Sequence, residues 1–467
     1  MLKNFLHLFV SMILSTVCSF LCFAVLGQKM SVEDYGQFNS MIALASAVAV
    51  FINNVIAGIV ANREIALDPG TSRNLLKRIG LVRTVIFIVG AVALLLYLTI
   101  HEKTPALIIA GVIAMLFADS FWELFEQIVF GLKETRFSMI FNSISSVLWL
   151  LAVVFLPADL STVGIVLVIY GVINTAKTVA YGRASLQITK PYRDAPDTLS
   201  NRYLFSSSFP YLYNRILGIV STQIPILLLD GYAGLAETAY YSAGEKFTAP
   251  ISKLTMVVIS AIFPFLTTAL RKNRRNTGTC VVDVFQITLS FGACLCLLLC
   301  GVSDLVLIGF FGDKYANAAE AFNYQIWFAV VLSADSFFSM LLSSDFKQKT
   351  LSVVTTIDAL SLIPFLALGL QYGAKGIAMA KLLHSTICLF YHLIITSKYF
   401  GERLINVRLI ISWVIFVSLA GVGVFTASRW ILLFVTAVSF VAVACLNIPT
   451  LKRVYGMVRK KNDVEEV

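Results

Sequence analysis

The sequence predicts an all-α, polytopic transmembrane protein of about fourteen helices, and three observations carry that prediction. Of the 467 residues, 58% are apolar and 13% charged, about half the roughly 25% charge of a soluble domain. Apolar stretches of about twenty residues recur along the chain, and that is the length a helix needs to cross roughly 30 Å of hydrocarbon. Lysine and arginine gather on alternate connections between those stretches, as a membrane-inserted chain requires. No soluble domain interrupts the pattern.

The expected spans begin near residues 5, 38, 81, 105, 138, 162, 204, 238, 281, 321, 351, 374, 409 and 431. The first could pass for a secretory signal, because Val25-Leu26-Gly27 looks like a small-residue cleavage site. The apolar run from Phe5 to Leu26 is too long for an h-region, so it reads as an uncleaved span. With a cytoplasmic N-terminus, the inner connections and the C-terminal tail hold 26 of the 36 Lys and Arg. The outer side holds only Lys29, Lys103, Lys314, Lys375 and Arg429, so both termini are expected in the cytoplasm. The net charge of +10 is then a topology signal beside anionic lipid, as at Arg73-Lys77-Arg78, Arg271-Lys272-Arg274-Arg275 and Lys452-Arg453. Nucleic acid is not an expected partner. The eight Cys lie in or at the ends of spans with no extramembrane CxxC, and four His show no metal-ligand spacing, so neither cofactor nor metal is expected.

After the sixth span comes the polar, two-proline connection Thr189-Lys190-Pro191-Tyr192-Arg193-Asp194-Ala195-Pro196. It divides the expected architecture into a six-helix lobe over 1–190 and a second over 200–398. Two further helices over 405–450 and a cytoplasmic tail over 451–467 complete it. The lobes resemble each other weakly. Glu33-Asp34-Tyr35-Gly36-Gln37-Phe38 parallels Ala236-Glu237-Thr238-Ala239-Tyr240-Tyr241. Lys133-Glu134-Thr135-Arg136 parallels Lys347-Gln348-Lys349, and Val163-Gly164-Ile165 parallels Lys375-Gly376-Ile377. Such a parallel repeat places a substrate path between two pseudo-symmetric bundles. There is no GxxxxGK[ST] phosphate loop. The outer connections are short, the longest running from about Val302 to Glu320, and none is large enough for the catalytic loop of a membrane glycosyltransferase or polymerase. No enzyme activity is expected.

Several segments are similar to one family. Tyr35-Gly36-Gln37-Phe38 resembles the small-aromatic signature of the Wzx-type polysaccharide exporters. So does Ala239-Tyr240-Tyr241-Ser242-Ala243-Gly244-Glu245-Lys246 followed by Ile262-Phe263-Pro264. Phe310-Phe311-Gly312-Asp313-Lys314-Tyr315 resembles that family's loop before span ten. The resemblance covers residues 5 to about 400, with loose motifs. It implies the multidrug/oligosaccharidyl-lipid/polysaccharide exporter fold, two lobes around a central cavity, and undecaprenyl-pyrophosphate-linked oligosaccharide as substrate. The last two spans depart from twelve-span members, although lipid II flippases of the same superfamily have fourteen. The implied home is a bacterial inner membrane, with glycan polymerase machinery as a partner.

Ionisable residues inside spans cost about 2.5–3.5 kcal/mol or more near the centre, so each should face a cavity or a partner. Arg215 and Lys253 fall near mid-depth in spans seven and eight. Lys246 lies on the same face as Lys253, Lys381 is in span twelve and Lys177 is in span six. These five are the candidate contacts for an anionic head group, with helix-packing ion pairs as the alternative. Lys246 can instead snorkel outward beside Glu245. Asp119, Glu123 and Glu126 form an i, i+4, i+7 stripe on span four. Asp119, Glu123 and Asp335 are the candidates for ion coupling. Pairing of Asp119 and Glu123 with Arg215 or Lys177 stays open, and Glu126, near the cytoplasmic rim, reads as paired. Lys381, His384, Cys388 and His392 share one face, read as a cavity-lining or inter-helix stripe with His384 the candidate for transport. Pro225, Pro250, Pro264 and Pro364 are candidate kinks. A flippase of lipid-linked oligosaccharide is the reading these residues support first. The competing one is an ion-coupled multidrug antiporter, which would favour acidic and aromatic cavity residues over cations.

Overall fold

The computed structural model describes residues 2–100, 103–192, 199–251, 274–344, 348–400, 407–426 and 428–465. Among them there are helices and turns and no strand. The helices are α1 (Leu2–Lys29), α2 (Val32–Asn54), α3 (Gly58–Leu67), α4 (Ser72–Ile100), α5 (Ala106–Gly131), α6 (Thr135–Phe155), α7 (Val163–Ile188), α8 (Asn201–Thr222) and α9 (Ile224–Leu228). Then follow α10 (235–251), α11 (Arg274–Gly301), α12 (Ser303–Phe311), α13 (Ala318–Ser344), α14 (Gln348–Gly369), α15 (Gly373–Phe400), α16 (Val407–Phe425) and α17 (Arg429–Glu465). Lys253, Pro264 with its neighbours Ile262 and Phe263, the basic pair Arg271-Lys272, Lys347, and residues 193–198 of the central connection lie outside the described residues.

Every expected span start falls in one of these helices or one residue before it. By length and composition, eight helices among the described residues are apolar enough to cross a membrane, or ten if each of two bent pairs is one span. The stretch Thr350–Lys398 is 49 residues long, roughly 70 Å of helix and too much for one crossing. It holds α14 and α15, which pack on each other across the turn Leu370–Tyr372, so it is a hairpin of two spans. Together with α10, α16 and α17 the set matches the expected fourteen.

Two features differ from the spans expected, and a third is the kink expected at Pro225. The second span breaks at 55–57 into α2 and α3. The seventh bends by 43° between α8 and the segment Ile224–Ala233, where Pro225 occupies the first turn of α9 and supplies no hydrogen bond backwards. The expected outer loop from Val302 is largely the short helix α12, bent by 65° from α11. Its apolar sequence Leu305-Val306-Leu307-Ile308 prefers helix to open loop, and Gly312 ends it at φ +92°, a conformation glycine adopts without strain.

The chain forms two compact units, Met1–Ser242 and Ala243–Val467. In the first, α5 packs on α7, α2, α3 and α4, while α1 packs on α6 and α8 packs on α2. One end of this unit is tied by a buried cluster including Ile56, Val60, Ile65, Leu76, Leu124 and Ile128. Lys29, expected as an outer topology charge, has a structural role: its Nζ donates to the carbonyls of Val153, Val154 and Leu156 at 2.9, 2.7 and 2.6 Å, capping α6. In the second unit α13 packs on α15 and α11, and α11 packs on α16 and α17. Aromatic contacts such as Trp327 against Phe416 at 5.2 Å and Phe285 against Phe338 at 4.8 Å fill its interior. Large apolar side chains left exposed, for example Leu81, Val85, Ile88 and Val92 on α4, are the surface a membrane-spanning helix offers to lipid. The free cysteines among the described residues include the buried Cys18, Cys22, Cys294, Cys296 and Cys300.

Candidate functional site

Charge in the first unit centres on α5, whose acidic stripe divides into two environments. Glu126 is buried, 9% exposed. Its Oε1 accepts from Ser138 Oγ at 2.8 Å, Asn142 Nδ2 at 2.9 Å and Tyr181 OH at 3.0 Å. Those donors come from α6 and α7, so Glu126 joins three helices. Its direct partners are neutral donors where the sequence suggested an ion pair. Asp119 and Glu123, two turns and one turn towards the α5 N-terminus, are half-buried.

Lys177 on α7 lies over the Trp122 ring with its ammonium 4.5 Å from the centroid, a cation–π contact. It is within electrostatic reach of Asp119 and Glu126. Of the two cations the sequence offered to the stripe, Lys177 is the one found beside Asp119.

Glu123 has a cation in reach that sequence reading placed elsewhere. Arg83 is fully buried. Its Nη1 donates to Asn53 Oδ1 and to the Ser120 carbonyl, both at 2.9 Å, and its Nη2 donates to the Asn53 carbonyl at 2.7 Å. Glu123 adds its field to that site. Asn53 in turn donates to the Asp119 carbonyl at 2.9 Å. Arg83 therefore holds the frayed C-terminus of α2 and the acidic helix in one network, satisfying carbonyls that a broken helix leaves open. The apolar run suggested a span starting at residue 81, which made Arg83 a cytoplasmic flank. The helix starts at Ser72 instead, which puts Arg83 about 16 Å along it at 1.5 Å per residue. The readable signal was the Asn53-Asn54 pair followed by Gly58, which marks a break needing donors.

Arg215 sits on α8 in a different setting. It is exposed, as are its neighbours Asn214 and Tyr211, and among the described residues no carboxylate pairs with it. Phe209 and Tyr213 stack on the same helix with centroids 6.4 Å apart. The helix begins with the Ser200 cap on the Tyr203 amide and contains Pro210. Its polar, aromatic surface is unlike the lipid-facing apolar surface of α4.

The second unit holds the other candidates. Lys381 on α15 is 5% exposed. Its Nζ lies 4.7 Å from the Phe328 centroid, and Glu245 is within electrostatic reach. Lys246, expected on one face with Lys253, is half-buried on α10. Asp335 on α13 and Asp358 on α14 both meet His392 on α15, at 2.5 Å from Nδ1 and 3.0 Å from Nε2. His384, the histidine the sequence favoured, bonds Ser361 Oγ at 2.8 Å. The shared face of α15 is thus an inter-helix stripe, with His392 carrying its ion pairs. Among the described residues no group of three or more His, Cys, Asp or Glu could hold a metal ion. The candidates fall into Asp119, Glu123 and Lys177 together, Arg215 alone, and Asp335 with the Lys381 face of α15.

The comparisons with known proteins agree with this architecture. The chain is 21% identical over 327 residues to a capsular polysaccharide biosynthesis protein, CapF, of Staphylococcus aureus, covering 68% of this chain and 79% of that one. Among solved structures it is similar to the lipid II flippase MurJ, with a TM-score of 0.67 and 14% identity over 98% of this chain and 100% of that one. It is also similar to an inward-facing MATE multidrug transporter of the MOP superfamily, with a TM-score of 0.64 and 14% identity over 85% of this chain and 98% of that one. At those identities the structures establish the fold alone, that of MOP-superfamily transporters. Residues 1–270 match the family described as polysaccharide biosynthesis protein, more than half of the chain, and to that family this multi-pass membrane protein belongs.

Proposed function

We propose that this chain flips a lipid-linked oligosaccharide, of the undecaprenyl-pyrophosphate-linked kind used for O-antigen, capsule or exopolysaccharide. The direction is from the cytoplasmic to the outer leaflet of a bacterial inner membrane, by alternating access, with no bond made or broken. Arg215 is the observation that carries this reading. A guanidinium open to its surroundings within a span is costly unless a wet cavity or an anion meets it. A pyrophosphate offers oxygens in the geometry the planar fork prefers. Beside it, Tyr211, Asn214 and the Phe209–Tyr213 pair are flat aromatic and amide groups of the kind that suit sugar rings. Lys177, Lys246, Lys253 and Lys381 are proposed as further cations along the path. The family membership supports the polysaccharide context, as do the capsular role in the name of the staphylococcal relative and the flippase activity in that of MurJ. Both termini are proposed to be cytoplasmic, with glycan polymerase machinery taking the product on the far side.

One observation favours the second reading, an ion-coupled multidrug antiporter: the half-buried carboxylates Asp119 and Glu123. The two readings part at Arg215. Arg215→Ala, alone and combined with Lys253→Ala, should reduce surface glycan with protein abundance near wild type, and Arg215→Lys should restore part of it. Surface glycan and membrane-fraction protein, blotted in parallel, measure this. Undiminished export in the double variant, together with drug resistance conferred by the wild type, would replace the flippase with the antiporter.

A further inference from the structure

We propose that His392, held between Asp335 and Asp358, is a proton-carrying site and that the ion it selects is a proton, not sodium. Three helices build it: Asp335 from α13, Asp358 from α14 and His392 from α15. The imidazole Nδ1 is 2.5 Å from Asp335 Oδ1, and Nε2 is 3.0 Å from Asp358 Oδ2. A neutral imidazole carries one N–H. With both carboxylates ionised, only one nitrogen could donate, and the lone pair of the other would face an anionic oxygen. A second proton removes that repulsion, whether it resides on the imidazole or on one carboxyl, and it belongs to the three groups together. The observed arrangement is therefore the loaded one, and losing the proton opens one of the two contacts.

The Asp358 arm is the one built to open. Nε2 and Asp358 Oδ2 are at ion-pair distance but off the line of a hydrogen bond, and Asp358 Oδ1 is buried with no partner. The charges acting on His392 are those of Asp335 and Asp358. On its own helix, His384 and Cys388 adjoin it, with Cys388 Sγ 3.4 Å from His384 Nε2 and His384 bonded to Ser361. Lys381 lies further along the same face, over Phe328. Further helices against α15 include α11, which carries the buried Asp283, and α16, whose Trp413 stacks on Phe390 at 4.3 Å. Sodium is excluded by the ring itself. The imidazole fills the space between the carboxylates, where a hard cation would need several oxygen ligands. Loading and unloading would make and break the joint between α14 and α15, which gives the proton a mechanical consequence.

Full-length protein in lipid nanodiscs, labelled with 15N in its histidine rings, tests the site directly. One ring should titrate apart from those of His7, His101 and His384. It should disappear in His392→Asn, shift in Asp335→Asn and Asp358→Asn, and ignore exchange of sodium for choline. A ring of one protonation state from about pH 5 to 10, or one that responds to sodium, overturns the proposal. A second measurement rests on the flippase reading: flux of a fluorescent polyprenyl-pyrophosphate disaccharide in proteoliposomes. His392→Asn should lose the pH-gradient stimulation by about tenfold, within the usual range of coupling energies, and keep its gradient-free flux. A full response in the variant also overturns the proposal. If the ring titrates as expected but wild type moves no probe, the flippase reading fails and the proton site stands.

Discussion

Glu126 directs one carboxylate oxygen at three donors from two other helices, and its neighbours on the same stripe keep their carboxylates half-open. That difference predicts how substitutions divide. Glu126→Gln keeps an oxygen that can accept from Ser138, Asn142 and Tyr181, so transport and abundance should change little. Glu126→Ala removes the acceptor from all three donors, and for the buried Ser138 and Tyr181 the cost is about 1–3 kcal/mol for each group left unsatisfied. Its melting temperature in detergent should fall well below that of the Gln variant; equal melting temperatures would remove Glu126 from the structural network. The stripe itself was legible, because i, i+4, i+7 spacing is a local property of one helix. Its partners were not, since Tyr181 and Asn142 come from other helices. Arg83 was misplaced for a related reason. A charge two residues inside an apolar run looks like a flank until the hydrogen-bonded start of the helix, eleven residues earlier at Ser72, is known. His392 likewise gave no local sign of its two carboxylates, which lie 57 and 34 positions away in the chain.

At the scale of helices, the contacts that let spans approach closely depend on glycine. A Cβ on Gly36 would lie 2.0 Å from the carbonyl oxygen of Leu235. The clash is with backbone, which no rotamer change relieves. This gives the Tyr35-Gly36-Gln37-Phe38 signature a physical cause: α2 meets the start of α10 there, and Tyr35 and Phe38 are fully buried on either side. Gly36→Ala should destabilise the first unit by about 1–3 kcal/mol, the usual cost of overpacking. Steady-state protein level and detergent melting temperature would both report it, and an unchanged melting temperature would mean that α2 and α10 do not meet this closely in the membrane. The same close approach recurs where Gly376 faces the Gly369 carbonyl across the α14–α15 hairpin, again at 2.0 Å. Helix existence and order were legible because twenty apolar residues in a row have few alternatives. The breaks were less so. The α2–α3 break is held open from outside, by Arg83 and by Ser208 Oγ accepting from the Ala57 amide at 3.0 Å, and the run of apolar residues around it hides the interruption.

At the scale of the whole molecule, sidedness and energy source can each be measured directly. The 26 Lys and Arg counted on inner connections of 36 in all predict that cysteines placed at 194 and 460 resist an impermeant external reagent, while one at 313 reacts; external labelling at 194 would reverse the assignment. Coupling poses the sharper question, because the chain has no phosphate loop and offers two sets of carboxylates. Asp119 and Glu123 stand one turn apart on one helix, with Lys177 near the first and Arg83 near the second. If this group carries an ion, Asp119→Asn should abolish gradient-driven flux while protein abundance holds. If the carboxylates only balance the cations, removing one leaves a buried charge unpaired, and abundance should fall instead. Reconstituted flux under imposed pH and sodium gradients, with abundance followed in parallel, separates these outcomes. Combining Asp119→Asn with His392→Asn then shows whether the two units share one proton path. Losses that add point to independent sites, and a double variant no worse than either single one points to a common path. Wild-type flux indifferent to both gradients would leave facilitated flipping, drawn forward by consumption of the product outside.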